Sequence, residues 1–539
     1  MRKKLLSYFF RYLYVNNFSR KFKERINGEN MNKNFGASNW KEYIPQPVCD
    51  EHPEYSKFYN KAWEIAFDHI KNIPGMPQNP YMDEAFCATQ VWIWDSCFMS
   101  LFCKYAREAF PGVETFDNFY KALYEGVHLP VIITPQGEPV WTGAVPGEPY
   151  EIKVHLADNP PLFAWAEYEN ALMSGDREYV KELLYERKIL QKHYNWIENL
   201  HESVKPDTVL VHTFLTAEKY GYKWEGGCSG MDNTPRGRVG EHAVEERPNN
   251  PDMLWLDAIC QQALSAHMIA KLYDIIGDDK EKEQWNKKYE EKKQIINDLY
   301  WDDKDKFYYD IDCNTHEFYK VMTIASYWTM ASETADEERA KMLVEQVANP
   351  ETFGGFVPLV SLSRSDNDYA PSGKYWRGSM WLPTAYAALK GLTLYGYFDE
   401  AHAAAAKIVE HMYRTYTDYT PHTIWECYSP EEYKPGSKTR GEGTVRKDFC
   451  GWSALGPISV YIEFVLGFHT VDAFEKIVKW AIPGNVNGKI GIKNLRFGSI
   501  VTDIEADGKI CTVVSNEAYT LEINSKNFEV MPGENKFSL

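Results

Sequence analysis

From about Ser38 to His469 apolar residues return every three or four positions, the period of helices that bury one face. The pattern divides into the ranges 54–73, 94–109, 114–126, 160–175, 176–200, 253–275, 280–300, 318–333, 335–347, 378–396, 397–415 and 450–468. Short turns, such as the one at Ser174-Gly175-Asp176, join some of these helices. Others are separated by long loops rich in Gly, Pro and Trp, at 76–93, 127–159, 220–252, 350–377 and 416–449. Loops of that length inside a compact domain usually serve a function. Short turns and long loops together predict a helical scaffold with one pocket built at one end. No internal sequence repeat supports the arrangement.

Past about Pro483 the period changes to two. GKIGIKNLRFGSI, KICTVVS and YTLEINS alternate apolar and polar residues between Gly, Asn and Asp-Gly turns, which predicts a small antiparallel β appendage over 484–539. The opening residues 1–35 form a third region. MRKKLLSYFFRYLYVNNFSRKFKER mixes basic and apolar residues, and Met31 begins a segment that itself reads as a start, so this stretch is taken as a basic extension without a role in the fold. An amphipathic helix and a targeting segment are its alternatives. No stretch is long and apolar enough to span a bilayer.

Composition narrows the partner. A net charge of −18 opposes binding to nucleic acid or an anionic membrane, which need a positive field, and favours a neutral small molecule. The chain holds 17 Trp and 36 Tyr, flat rings with a polar atom that suit the faces of sugars as well as a helical core. Ten cysteines without a CxxC pair read as reduced thiols of a cytoplasmic protein.

The loops hold the chemistry. SGMDNTPR, Ser229 to Arg236, places Asp232 among turn formers, either as a helix-capping surface turn or as a carboxyl that must point at something; in a partly dry site it would serve as a general acid. QVWIWDSCF puts Trp92, Trp94 and Asp95 at a helix start, where Asp95 caps the helix or reaches a sugar hydroxyl. DNPPLFAWA reads as a proline-started helix. In YWRGSMWLPTAY, Arg377 holds a carboxylate or forms a structural ion pair, with Trp376 and Trp381 as walls. TIWECYSPEEY sets Glu426 beside Trp425 and Tyr428, a plausible base for activating water and equally an ordinary surface acid. Trp141, Asn233 and Trp452 complete the candidate sugar-facing set. Arg236, Arg238 and Arg440 are candidates for an acidic aglycone, with plain surface charge preferred. His242 with Glu241, Glu245 and Glu246 reads as a solvated acidic loop in preference to a metal site, and neither metal nor cofactor is expected.

WDSCF, PPLFAWA, SGMDNTPR, YWRGSMWLPTAY, WECYSP and DFCGWSALGP, in this order, resemble the six-hairpin glycosidases of glycoside hydrolase family 63, including the mannosylglycerate hydrolase-like members, with trehalases of family 37 more distant. The resemblance covers roughly residues 50 to 470 and implies an (α/α)6 barrel over about 36–480 and hydrolysis with inversion. It assigns the general acid to Asp232 and the general base to Glu426, and gives Asp95, Arg377, Trp94 and Trp376 sugar-binding roles. Cys427 stands where the family commonly has Asn, which leaves the neighbouring subsite open. The mechanism implies a drier, aromatic surrounding for Asp232 and a water-accessible one for Glu426. The substrate expected is an α-glucoside or related small α-glycoside. A sugar phosphorylase on a similar barrel and an inactive carbohydrate-binding protein are the alternatives.

Overall fold

The computed structural model describes residues 33–85, 90–122, 132–135, 143–144, 151–152, 160–200, 215–224, 226–243, 250–439, 443–484 and 486–539. Trp141, Arg440, Glu245, Glu246 and residues 1–32 of the N-terminal extension lie outside them.

The protein is a helix-rich body followed by a β-rich C-terminal region. Among the described residues, six buried helical segments pack each against the next and the last against the first: Ile93–Cys103, Phe163–Ser174, Leu256–Ile276, the short turns Ile324–Tyr327 and Trp328–Ala331, Leu382–Leu394, and Gly456–Val465. Their sequences are apolar nearly all round, as fully enclosed helices must be. Amphipathic helices lie outside them. Asp279–Leu299 buries only Trp285, Tyr289, Lys292 and Ile296, one stripe at three- and four-residue spacing, against Leu256–Ile276. Phe398–Asp418 buries its stripe chiefly against Gly456–Val465 and also against Leu382–Leu394. Turn chemistry makes these hairpins. Leu256–Ile276 ends on Gly277 at φ +77°, a left-handed conformation that glycine adopts without strain. The next residue, Asp278, accepts a hydrogen bond from the Glu281 N–H and starts the outer helix.

Four predicted helices differ. The 176–200 range breaks into Arg177–Lys181, a wide π-type turn Glu182–Arg187 and Ile189–Glu198, because Lys188 takes φ +55° and the Arg187 side chain turns inward to Asp117 and Glu182. In 318–333, Phe318–Tyr319 pairs as a strand with Asp310–Asp312, and only 324–331 is helical. The 450–468 range is the short turn Ser453–Leu455 and the π-type helix Gly456–Val465. Among the described residues of 114–126, the helical turns are Val113–Phe116 and Asp117–Lys121.

The β region begins before Pro483, at Thr470–Asp472, and is larger than an appendage over 484–539. One sheet has the order Gln46–Cys49, Lys489–Phe497, Ile500–Asp507, Ile510–Ser515, Gly533–Ser538; the other has Thr470–Asp472, Ile477–Trp480, Tyr519–Ile523, Lys526–Val530. They meet through Phe497 on Tyr519 and Phe528 on Phe537, and Thr502 Oγ1 lies 3.0 Å from the Tyr519 hydroxyl. Gln46–Cys49 carries Pro47, which lacks a ladder donor, and it occupies the sheet edge where proline is tolerated. This region docks on the C-terminal ends of the buried helices, where the Arg107 guanidinium bridges the carbonyls of Met173 and Gly498 at 2.8 and 2.6 Å.

Inside the ring of helices sits a charged quartet. Lys104 contacts Glu169 at 2.8 Å and Glu463 at 3.1 Å, and Lys390 contacts the same two carboxylates at 3.2 and 3.4 Å. The Tyr105 and Tyr386 hydroxyls donate to Glu463. The quartet thereby joins three of the six segments to Lys104, the residue that follows Ile93–Cys103. Lys390→Ala leaves two buried carboxylates sharing one cation and is expected to cost about 3–5 kcal/mol in urea unfolding. Lys181→Ala, at an exposed pair with Glu178, should change little.

Candidate active site

The motif stretches all lie at the N-terminal ends of the buried helices, opposite the β region. Asp95 is in the first turn of Ile93–Cys103, YWRGSMW runs into Leu382–Leu394, and WECYSP and DFCGW lead into Gly456–Val465. Helix N-termini carry partial positive charge, so this end suits carboxylates.

The loop that carries Asp232 is fixed from three sides. Within it, the Ser229 hydroxyl donates to Gly226 O at 2.8 Å and accepts from the Met231 N–H at 3.1 Å. Gly230 has φ +80°, and a side chain there would come within 3.1 Å of the Trp94 ring, so only glycine lets the loop lie flat on that tryptophan. Behind the loop, Arg236 is 1% exposed, and its guanidinium lies 4.4 Å from the Trp255 ring. It forks onto Asp257 at 2.7 and 2.9 Å and onto Asp310 at 2.5 and 2.8 Å. The surface-charge reading of Arg236 is therefore corrected: it is the loop's buried anchor. Arg238 is also committed, to Asp366 and Asp368. Asp232 itself is half-buried.

Asn233 and Arg377 join loops. The Asn233 side chain donates to Lys374 O at 3.0 Å and accepts from the Trp376 N–H at 2.8 Å. Arg377 Nε donates to Asn233 O at 3.2 Å, and the guanidinium lies 3.4 Å from Asp368. Trp376 and Trp381 stack at 4.2 Å and are 1% and 0% exposed, which puts them beneath the site as packing. Trp94, Trp425 and Trp452 are buried and Trp92 half-buried.

Glu426 stands on the facing loop and is 2% exposed. Its Oε1 accepts from the Tyr375 hydroxyl at 2.9 Å and from Arg446 at 2.6 Å, and its Oε2 from the Arg446 N–H at 3.1 Å. Its carbonyl accepts from Trp452 Nε1 at 2.7 Å. The expected contrast of a dry Asp232 and a wet Glu426 is reversed in exposure, because the donors that water would have supplied to Glu426 are supplied by Tyr375 and Arg446. Sequence reasoning missed both. Tyr375 opens one motif stretch and comes from another loop, whereas Arg446 lies two residues before DFCGW in the same 416–449 loop as Glu426, and nothing local marks either as a partner. Cys427 is buried; burial, then the Glu426 charge, pushes its thiol up, and it packs beside Ser379 and Gly436.

Asp95 is buried and not a cap; the N-cap is Trp92, with no side-chain bond. Burial pushes its carboxyl up to about 8, its backbone N–H opposes this, and the Glu426 charge adds to it. Tyr375 is also held above its ordinary range, by burial first and then by the charges of Glu426 and Asp232, so the phenol is within electrostatic reach of both carboxyls. His242 lies exposed beside Asp368 at 3.4 Å. Among the described residues no three His, Cys, Asp or Glu side chains converge as metal ligands.

Carboxyls gathered from separate loops at one end of packed helices are an arrangement that glycoside hydrolysis can use, and the comparisons make the chain a glycoside hydrolase of the family 63 type. Residues 88–442 match the mannosylglycerate hydrolase MGH1-like glycoside hydrolase domain, and the chain belongs to that family. An uncharacterised protein of Borreliella burgdorferi is 26% identical over 449 residues, 80% of this chain and 83% of its own. The mannosylglycerate hydrolase of Rubrobacter radiotolerans is 30% identical over 119 residues, 22% of this chain and 27% of that protein, so the match spans about a quarter of it. In fold, the chain matches the family 63 mannosylglycerate hydrolase of Thermus thermophilus, solved in complex with glucose, at a TM-score of 0.54 and 18% identity over 74% of this chain and 99% of that one.

The raised Asp95 predicts a pH dependence. A carboxyl whose native pKa lies above its unfolded value, about 4, contributes stability that is complete below that value and is lost as pH rises through about 8. Asp95→Asn removes the titrating group, so its melting temperature should fall less than the wild type's between about pH 5 and pH 9. Parallel curves for the two proteins would contradict the assignment.

Proposed function

We propose that the protein hydrolyses an α-glucoside or a related small α-glycoside with inversion, on a closed (α/α)6 barrel, with Asp232 as general acid and Glu426 as general base. The ring of six buried segments with amphipathic partners outside supports the barrel. The observation that carries the assignment is the bracing of the two loops. Asn233, next to Asp232, holds the segment whose Tyr375 hydroxyl donates to Glu426.

In the reaction Asp232 gives its proton to the glycosidic oxygen as the bond from that oxygen to the anomeric carbon breaks. Glu426 takes a proton from a water whose oxygen attacks the same carbon from the opposite side. The products are the free aglycone alcohol and the sugar with inverted configuration. This requires the carboxyls to stand about 6.5–9.5 Å apart, with room for the water. A sugar seated over half-buried Asp232 supplies the drier surrounding that keeps an acid protonated. Asp95, raised toward neutrality, offers an O–H to a sugar hydroxyl. The net charge of −18 favours a neutral sugar. The free cysteines Cys49, Cys97, Cys103, Cys260, Cys313, Cys427, Cys450 and Cys511 fit a cytoplasmic setting.

A screen of α-glucosides, α-mannosides, trehalose and glycosylglycerates, with the released anomer followed by NMR in the first minutes, tests the reading. The β anomer should appear first. Asp232→Asn and Glu426→Gln should each lower kcat by about 10²–10⁴-fold while keeping the wild-type circular dichroism. Near-normal turnover in either variant removes that residue from the mechanism. Sugar 1-phosphate formed in phosphate buffer would move the reaction to phosphorolysis.

A further inference from the structure

The backbone beneath the Tyr375 phenol is unusual. Lys374 and Tyr375 are consecutive non-glycine residues with φ of +34° and +65°. A side chain at such angles crowds its own carbonyl, and residues held there persist only where the surroundings over-determine them. Here they do. The Lys374 N–H donates to Ser437 Oγ at 2.9 Å, and the Tyr375 N–H to Ser437 O at 2.9 Å. The Lys374 carbonyl accepts from Asn233 Nδ2, and the Tyr375 carbonyl from Trp381 Nε1 at 3.1 Å. Trp381 also meets the Tyr375 ring edge to face at 4.7 Å and is itself stacked on Trp376.

Asn233 is the member of this set that belongs to the other loop. Both ends of its amide are used, Nδ2 on Lys374 and Oδ1 on Trp376, so its side chain spans the residue between them, Tyr375. Its own carbonyl is held by Arg377. A relaxed turn at 374–375 would move the phenol relative to Glu426 Oε1; Ser437 and Trp381 hold the turn on one side, and Asn233, one residue from Asp232, holds it on the other.

We infer that Asn233 and Tyr375 are positioning residues that act as one relay: Asn233 holds the strained turn, the turn aims the Tyr375 hydroxyl at Glu426, and the two catalytic carboxyls are thereby kept in register. The inference rests on the assignment of Asp232 and Glu426 proposed above. The groups facing Glu426 are Tyr375, Arg446 through its guanidinium and N–H, Asp95 and the Cys427 thiol; Asp232 lies within reach of Tyr375, and Asp83 within reach of Asp95. Of these, Tyr375 is the one whose placement depends on Asn233.

The test uses Tyr375→Phe, Asn233→Ala, Asn233→Ser and the double variant Tyr375→Phe/Asn233→Ala, beside wild type and Glu426→Gln, on the glycoside that the wild type cleaves. Losing a donor to an ionised carboxylate favours its protonation, so the acidic limb of the kcat/KM profile should move to higher pH in every relay variant. kcat should fall about 10–100-fold with KM within about threefold, as for groups acting through the base. The double variant should be no worse than the poorer single variant, because both changes remove the same hydroxyl from Glu426. An acidic limb left at the wild-type pH in Asn233→Ala or Asn233→Ser, or losses that multiply in the double variant, would overturn the relay. Should Asn233→Ala fail to fold, Asn233→Ser and Tyr375→Phe carry the same comparison. Glu426→Gln separates the two levels. Wild-type turnover in that variant sinks the proposed function, whereas an inactive Glu426→Gln with an unmoved limb in Tyr375→Phe sinks the relay alone.

Discussion

One buried guanidinium decides where the Asp232 loop stands. Arg236 is buried away from water, and its charge is offset by Asp257 from the first turn of Leu256–Ile276 and by Asp310 from a strand. Taking three such charges out of water costs several kcal/mol per ion, and the mutual attraction repays this only when the geometry is good. Asp310 is further used by the Leu256 N–H at 2.9 Å, so a strand carboxylate satisfies a donor at the helix start. A shift of the loop would strand both acids without their cation. The ion triad thus selects one loop position among the many that SGMDNTPR could take, which is specificity more than stability.

The same logic runs through the helical body. Lys104, Lys390, Glu169 and Glu463 alternate in sign, and Arg187 lies between Asp117 and Glu182. Each arrangement joins elements distant in the chain. Between them the aromatic residues fill volume. The stacked Trp376 and Trp381 and the edge-on Tyr375 form one block, and the indole N–H that Trp381 donates to the Tyr375 carbonyl ties packing to the site above it.

Periodicity in the sequence found the long helices because their stripes are local: Leu256–Ile276, Asp279–Leu299 and Phe398–Asp418 fall within a few residues of the predicted ranges. It misread 318–333, where Phe318 and Tyr319 answer to a strand partner and not to their neighbours along the chain. It placed no strand at Gln46–Cys49 for the same reason. At the site, Asp232, Asp95 and Glu426 were legible as acids in unusual loops. Their partners were not: Tyr375 and the buried fork of Arg236 acquire meaning only when distant segments meet, and Arg446 only when its own loop folds back on Glu426. Trp376 and Trp381 misled in the other direction, since a ring beside a motif looks like a platform until its burial is known.

The edge strand Gln46–Cys49 finds its partner, Lys489–Phe497, almost the whole chain later. On a ribosome moving at roughly 5–20 residues per second, its backbone groups wait tens of seconds for that partner to emerge. The first strand among the described residues is therefore among the last paired, and the sheet acts as a clasp that closes only once the helical body has been synthesised.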